Sequence, residues 1–323
     1  MFGNDKSKLP ENGEGSNKPE WQLLEKIALA STVEQRKARR WGIFFKLLTF
    51  AYLFFIFAAL TPASRSVVMP AEEDHVALVA VEGIIAANSE ANANTVVTGL
   101  RAAFEAERSK AIIVAINSPG GSPVQSGYIN DEINRLRELH PEKKVYAVIA
   151  DIGASGGYYV ASAADEIYAD KASLVGSIGV ISAGFGVNGL LEKIGVDRRV
   201  YTSGESKNFL DMFSAERDQD REFWQGVLNV THNQFIDVVK RGRGDRLLDD
   251  PEIFSGLIWT GEQAVEKGLI DGLGSAGYVA REVVGYEDIR DYTVTVSPFE
   301  EFAKKLGASF SLGLQNLFSQ QVM

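Results

Sequence analysis

The sequence predicts an α/β domain that follows one membrane-spanning helix. Three observations carry this expectation. Residues 111–116 (AIIVAI) and 145–150 (VYAVIA) are short runs apolar on both faces, as strands covered by helices on each side require. Between such runs, apolar residues recur at helical spacing, as at Ile129, Ile133 and Leu136. Ahead of them all, residues 41–61 (WGIFFKLLTFAYLFFIFAALT) hold one charge, Lys46.

In chain order, residues 1–40 form a cytoplasmic N-terminal segment. Its first 20 residues are polar and rich in Gly, Pro, Asn and Glu, a composition that predicts disorder. Residues 21–38 fit a short helix. Residues 41–61 would form a helix about 31 Å long at ~1.5 Å per residue, matching a hydrocarbon core of roughly 30 Å. Lys46 can snorkel, Trp41 takes the interfacial belt position, and Pro62 closes the helix. Arg36, Lys37, Arg39 and Arg40 precede the span, so this end is expected to stay inside and the following domain outside. A cleaved signal peptide is the alternative, and the long polar stretch upstream argues against it. Residues 62–74 read as a linker.

The domain is expected over residues 75–297. Residues 75–81 read as a strand, 95–104 as a helix, 111–116 and 145–150 as the apolar strands. A helix starts near Ser155, and 166–168 is a short strand. A long helix covers 215–240 and a shorter one 261–267. Residues 298–323 form an amphipathic tail with Phe299, Phe302, Leu306 and Phe310 along one face.

Composition narrows the function. The net charge is −10, distributed as +3 over residues 1–46 and −13 over the rest, which argues against nucleic acid as a partner. Cysteine is absent, which removes thiolate catalysis, Cys-ligated zinc and disulfides together. The three histidines, His75, His140 and His232, are far apart and offer no metal-binding spacing, so neither metal nor cofactor is expected.

Two glycine-rich turns follow the two apolar strands. They are Asn117-Ser118-Pro119-Gly120-Gly121 and Asp151-Ile152-Gly153-Ala154-Ser155-Gly156-Gly157. In a parallel sheet both emerge at one edge, where glycines let backbone N–H groups converge on one oxygen. A serine there is a weak nucleophile and needs a base. The histidines are poorly placed: His140 lies in a polar turn, His232 within a long helix, His75 before a strand. A desolvated lysine can serve instead. Lys207, in Ser203-Gly204-Glu205-Ser206-Lys207, is the candidate, with Lys171 and Lys193 as competitors. Each turn alone also has a plain reading: a close helix–strand contact for GASGG and an ordinary turn for SPGG. Asp151 could be a helix-start residue and the Lys240–Arg243 cluster a helix end.

Taken together, Gly153-Ala154-Ser155-Gly156-Gly157-Tyr158-Tyr159, Ala172-Ser173-Leu174-Val175-Gly176-Ser177-Ile178-Gly179-Val180 and Ser203-Gly204-Glu205-Ser206-Lys207 resemble the S49 serine peptidases. The likeness is to the short-form branch of signal peptide peptidase A and SohB-like proteins, and runs from about residue 76 to 273. It implies Ser155 as nucleophile, Lys207 as general base, Ser177 as the residue orienting the lysine, and the N–H groups of Gly121 and Gly156 as oxyanion hole. It also implies a ClpP/crotonase-type β-β-α superhelix. The expected partners are apolar peptides such as signal peptides, membrane lipid, and further copies of the chain sharing active sites. The expected location is a bacterial inner membrane, with the catalytic domain periplasmic. Spacing alone leaves open whether Lys207 acts within its own chain. The competing readings are a crotonase-like thioester enzyme and a non-catalytic membrane scaffold or peptide-binding module.

Overall fold

The computed structural model describes residues 19–60 and 73–295. These fall into two units, an N-terminal helix and a sheet domain, each taken by itself. The expected disordered start, most of the 62–74 linker and the 298–323 tail lie outside the described residues.

The N-terminal unit is one helix, α1 (Pro19–Leu60). The sequence reading divided this stretch into a helix over 21–38 and a span over 41–61. Proline takes the first helical position, and no proline lies between it and Pro62 to interrupt the hydrogen-bond ladder, so the two stretches fuse. At ~1.5 Å per residue α1 is about 63 Å long. Within it, Glu34–Phe57 is long and apolar enough to cross a membrane. Trp41 stacks on Phe45 at 5.7 Å and meets Phe44 edge-on at 5.7 Å.

The domain is an α/β structure around a central sheet. Strand β1 (His75–Glu82) leads into helix α2 (Ala93–Glu105). Then come β2 (Ser109–Ser118), α3 (Pro123–Leu139), β3 (Lys144–Ala154) and the short α4 (Gly156–Ala161). β1, β2 and β3 are parallel neighbours, as the apolar runs predicted. Asn92 and Ser122 cap α2 and α3, each accepting a backbone N–H three residues on.

Alternation along the strands builds two cores. Ile112, Val114 and Ile116 of β2 join Val79, Val145 and Ile149 under Leu100, Ile129 and Tyr158 of α2, α3 and α4. Ala111 and Ile113 point the other way, with Val76, Tyr146 and Val148. That second face is covered by a turn of helix α8 (Ala276–Tyr278) running into a π-helical segment, Val279–Val284. Full burial of each such aliphatic side chain is worth about 1.5–3 kcal/mol, so both faces contribute to stability.

The sheet forks at β3. Its first half pairs with β4 (Glu166–Ala169) and its second half with β5 (Leu174–Gly176). β5 pairs antiparallel with β6 (Ile258–Thr260), and β4 pairs parallel with β7 (Gly272–Leu273). The far edge is closed by β8 (Ile289–Asp291), parallel to β1. Between β5 and β6 lie α5 (Asn188–Ile194) and the long α6 (Asp218–Arg243), and α7 (Gly261–Glu266) follows β6. Thr260 and Gln263 form a reciprocal capping box on α7.

Candidate active site

β3 ends at Ala154 and α4 begins at Gly156, so one residue, Ser155, must turn the chain from strand to helix. It does so at φ 51°, ψ −121°. For a residue with a Cβ this is a strained conformation, of order 1–3 kcal/mol, that persists only where neighbours enforce it. The enforcement is visible: Ser155 N–H donates to Gly176 O at 2.8 Å and Ser155 O accepts from Tyr159 N–H at 2.9 Å. The Ser155 hydroxyl makes no capping bond.

The turn after β2 fits against it. Ser118 Oγ donates to Gly83 O at 2.6 Å and accepts from Gly120 N–H at 3.1 Å, which folds the turn back on itself. Gly120 has φ 98°, and a Cβ there would lie 2.5 Å from Gly156 N and 2.8 Å from Ser155 Cβ. A Cβ on Gly121 would meet Ile85 O at 2.2 Å, and one on Gly156 would meet Ser126 Oγ at 2.4 Å and Gly121 N at 3.2 Å. Glycine is therefore required by contact at all three positions. The same contacts bring Gly121 and Gly156 together. Among the described residues neither of their N–H groups donates a hydrogen bond. Two free donors beside a serine can hold the oxygen of a carbonyl under attack.

Ser177 joins this group through β5. Ala154 pairs with Gly176, so Ser155 and Ser177 each directly follow the last paired residue of their strands. Ser177 also has positive φ, 52°, and its N–H donates to Leu257 O at 2.8 Å. Two of the three non-glycine residues with positive φ among those described are thus these neighbouring serines.

Ser155, Gly121 and Gly156 open onto a cleft of about 510 Å³. Its walls are Val124 and Tyr128 of α3, Tyr159 of α4, Val180 and Ile181 after β5, and Phe235 of α6. Burial pushes the Tyr159 hydroxyl up, the charge of Asp131 adds to that, and Arg241 opposes it.

Lys207 is not brought to this site within the chain. It is exposed, does not line the cleft, and makes one bond, from its N–H to Gly204 O at 3.2 Å. No residue from 181 to 217 is buried. The segment nonetheless carries Ile181, Phe185 and Tyr201 at 88%, 84% and 90% exposure. Phe209, two residues beyond Lys207, ties the segment to α6 through Phe223 and Trp224, with ring centroids at 5.6 and 5.7 Å. The competing lysines, Lys171 and Lys193, are exposed and do not line the cleft either.

The remaining candidates resolve plainly. Asp151 lies on β3 and accepts from Asn117 Nδ2 at 3.1 Å, away from any helix start. His75 is buried, bonded to Tyr292 Oη at 2.9 Å. His140 packs beside Phe104, and His232 bonds Ile178 O at 3.1 Å. None reaches Ser155. Among the described residues no three His, Asp or Glu side chains converge as a metal site requires.

The sequence reading took the basic cluster ending at Arg243 as a helix end. It is one, and Arg243 is also fully buried, donating to both oxygens of Asp271 at 2.6 and 3.0 Å and to Gly268 O at 2.8 Å. This clamp ties the end of α6 to the loop before β7. The signal available was Asp271 just beyond an apolar pair, but no spacing links it to Arg243.

Comparison with known proteins gives a family match. The model of peptidase family S49 matches residues 137–287. A Brucella abortus protein named Na(+)/H(+) antiporter NhaA is 49% identical over 186 residues, which cover 58% of this chain and 25% of that protein. The chloroplastic serine protease SPPA of Arabidopsis thaliana is 33% identical over 56% of this chain and 27% of its own length. Protease 4 of Haemophilus influenzae is 32% identical over 62% of this chain and 33% of its own. Across the relatives matched, the chain spans between 25% and 65% of their length. The NhaA name covers a protein three-quarters of which lies outside the match, so it assigns no transport to the matched part.

Proposed function

We propose that this chain, which belongs to peptidase family S49, is a membrane-anchored serine endopeptidase with a Ser155–Lys207 dyad. The observation that carries the reading is the strained Ser155 held beside two undonated N–H groups at the mouth of an apolar cleft. Neutral Lys207 takes the Ser155 proton as Oγ attacks the scissile carbonyl. The Gly121 and Gly156 N–H groups stabilise the tetrahedral oxyanion, the amine leaves with the proton, and water releases the acyl group. Ser177, which follows the strand position paired just before Ser155, is suited to orient the lysine.

Several features support the finer parts of this reading. The fork at β3, with one half pairing β4 and the other β5, suits a ClpP/crotonase-type superhelix. The unburied 181–217 segment, with its exposed apolar side chains, suits burial against another copy that would deliver Lys207 across an interface. The apolar cleft suits apolar peptides such as spent signal peptides, and the helix at Glu34–Phe57 would keep the enzyme where these collect. The basic residues before the span favour an extracytoplasmic domain on a bacterial inner membrane.

One observation favours a second reading. Among the described residues no base side chain lines the cleft beside Ser155, as a non-catalytic scaffold or peptide-binding module on the same fold would allow. Labelling with a serine-directed fluorophosphonate, mapped by peptide mass, separates the two. The peptidase is expected to carry the adduct on Ser155 and to lose it in Lys207→Ala. A folded oligomer that takes no label would leave the scaffold.

A further inference from the structure

Two adjacent carboxylates on α3 meet different fates. Glu132 is largely covered by its partners and accepts from Arg101 at 2.6 Å and Arg135 at 2.6 and 2.8 Å. The Arg135 hydrogen bonds, helped by Arg101, hold its carboxyl at about 2. Asp131 makes no ion pair among the described residues, and it lines the cleft that holds Ser155. Among the described residues it is the one charged side chain lining that cleft. Arg241, the cation that also acts on Tyr159, does not line it.

The helix explains the placement. Pro123, Val124, Gly127, Tyr128 and Asp131 recur at the spacing of one helical face, and that face forms a wall of the cleft. At ~1.5 Å per residue Asp131 stands about 12 Å along α3 from Pro123, next to the oxyanion turn. The wall thus begins at the reacting atoms, continues over apolar and aromatic surface, and ends on an unpaired carboxylate.

We infer that Asp131 is a specificity residue that binds the cationic end of a lysine or arginine side chain of the bound peptide. The inference rests on the peptidase reading of Ser155. The chemistry fits a long basic side chain: its methylenes lie on apolar surface while the charged head reaches a polar terminus. The faces of Tyr128 and Tyr159 add attraction for a cation. Asp131 is exposed, so a purely apolar side chain on the same path would leave it hydrated and offer it no counter-charge. The cleft therefore selects a basic residue set within an apolar peptide, and disfavours an acidic one.

The test uses the full-length protein in detergent and N-acetylated apolar peptides in which each residue near the scissile bond is in turn Lys, norleucine or Glu. Hydrolysis is read on the wild-type side chains, and affinity on Ser155→Ala protein by fluorescence anisotropy. At one position Lys is expected to exceed norleucine by roughly 3- to 10-fold in kcat/KM and in affinity, the range of a partly desolvated ion pair. Asp131→Asn should bring that ratio close to one, and Asp131→Lys should invert it toward Glu. A Lys-to-norleucine ratio that Asp131→Asn leaves unchanged overturns the inference. An advantage seen only in norleucine peptides with a free N-terminal amine overturns the side-chain assignment, because the cation bound is then the terminus. Preferential binding without hydrolysis of any peptide upholds Asp131 and sinks the peptidase reading instead.

Discussion

The turn that carries Ser155 and the segment that carries Lys207 are built under opposite constraints. Around Ser155 every glycine is fixed by contact: a Cβ on Gly120, Gly156 or Gly157 would meet other atoms at 2.5, 2.4 and 2.7 Å. Around Lys207 the glycines are loosely placed: Gly184, Gly189, Gly195 and Gly204 have open space within 4 Å of an added Cβ, and Gly186 meets only Asn188 Oδ1 at 3.8 Å. The first region stores backbone strain and is over-determined by its neighbours. The second has no buried residue over 37 positions, 181–217, and exposes large apolar side chains. The difference teaches that the Ser155 turn is fixed by its own neighbours, whereas the Lys207 segment is left uncovered by the rest of the described residues.

The largest effect tests that division directly. Ser155→Ala and Lys207→Ala are each expected to lower peptide hydrolysis on the order of 10⁴-fold or more. Co-assembled equal mixtures of the two should regain on the order of a quarter of wild-type activity if neighbouring protomers share sites. Mixed oligomers that recover nothing would place both halves in one chain and dissolve the contrast.

Next in size is a pair of ion pairs, one in each region. Asp271→Asn leaves Arg243 buried and uncompensated, an expected loss of about 3–5 kcal/mol in urea unfolding. Arg198→Ala, which removes the exposed bond to Asp211 inside the 181–217 segment, should barely move the urea midpoint. Equal shifts would mean that the segment is as integral as the core. The Asp271 clamp also carries a pH signature. Burial alone would raise its carboxyl, but Arg243, the Ile167 N–H and Arg246 outweigh burial and bring it below 3.8. Its contribution is therefore complete above that pH and is lost as pH falls through the lower folded value, a dependence absent from Asp271→Asn.

The smallest effects come from alanine at two glycines, and they should differ in sign. Gly156→Ala drives a methyl into Ser126 Oγ and against Gly121 N, destabilising by about 1–3 kcal/mol and closing the oxyanion pair. Gly189→Ala, within α5 and facing open space, should stabilise by up to about 1 kcal/mol. Thermal unfolding of both variants beside an activity assay reads sign and cause together.

What was legible in the sequence follows range of interaction. The apolar runs gave β2 and β3, because strands buried on both faces have no polar alternation to hide them. The two glycine turns were placed at one sheet edge because parallel pairing makes that geometry obligatory, and Gly121, Gly156 and Ser155 duly converge. The neighbourhood of Ser177 depends on β5, a three-residue strand too short to show a period. The buried Arg243–Asp271 pair joins residues 28 apart, and His75 is buried by Tyr292, 217 residues away. Partner choice for such groups is made by the tertiary fold, so a cluster of basic residues and a histidine at a strand start reveal nothing of it. Asp131 lay on a helix whose apolar face was read correctly, but which wall that helix turns to the cleft depends on α4 and α6.

The strand pair β1–β8 has a consequence for how the protein is made. Ala80 N–H bonds Thr293 Oγ1 across 213 residues, and Tyr292 N–H bonds Leu78 O at 2.8 Å. At ~5–20 residues per second, a ribosome delivers that distance in roughly 10–40 s. Throughout that interval the nascent domain holds an apolar strand with one open edge, a template for pairing with any other extended chain nearby. Synthesis arrested before Ile289 would freeze the molecule in this state, so shortened translation products should enter aggregates far more readily than the finished chain.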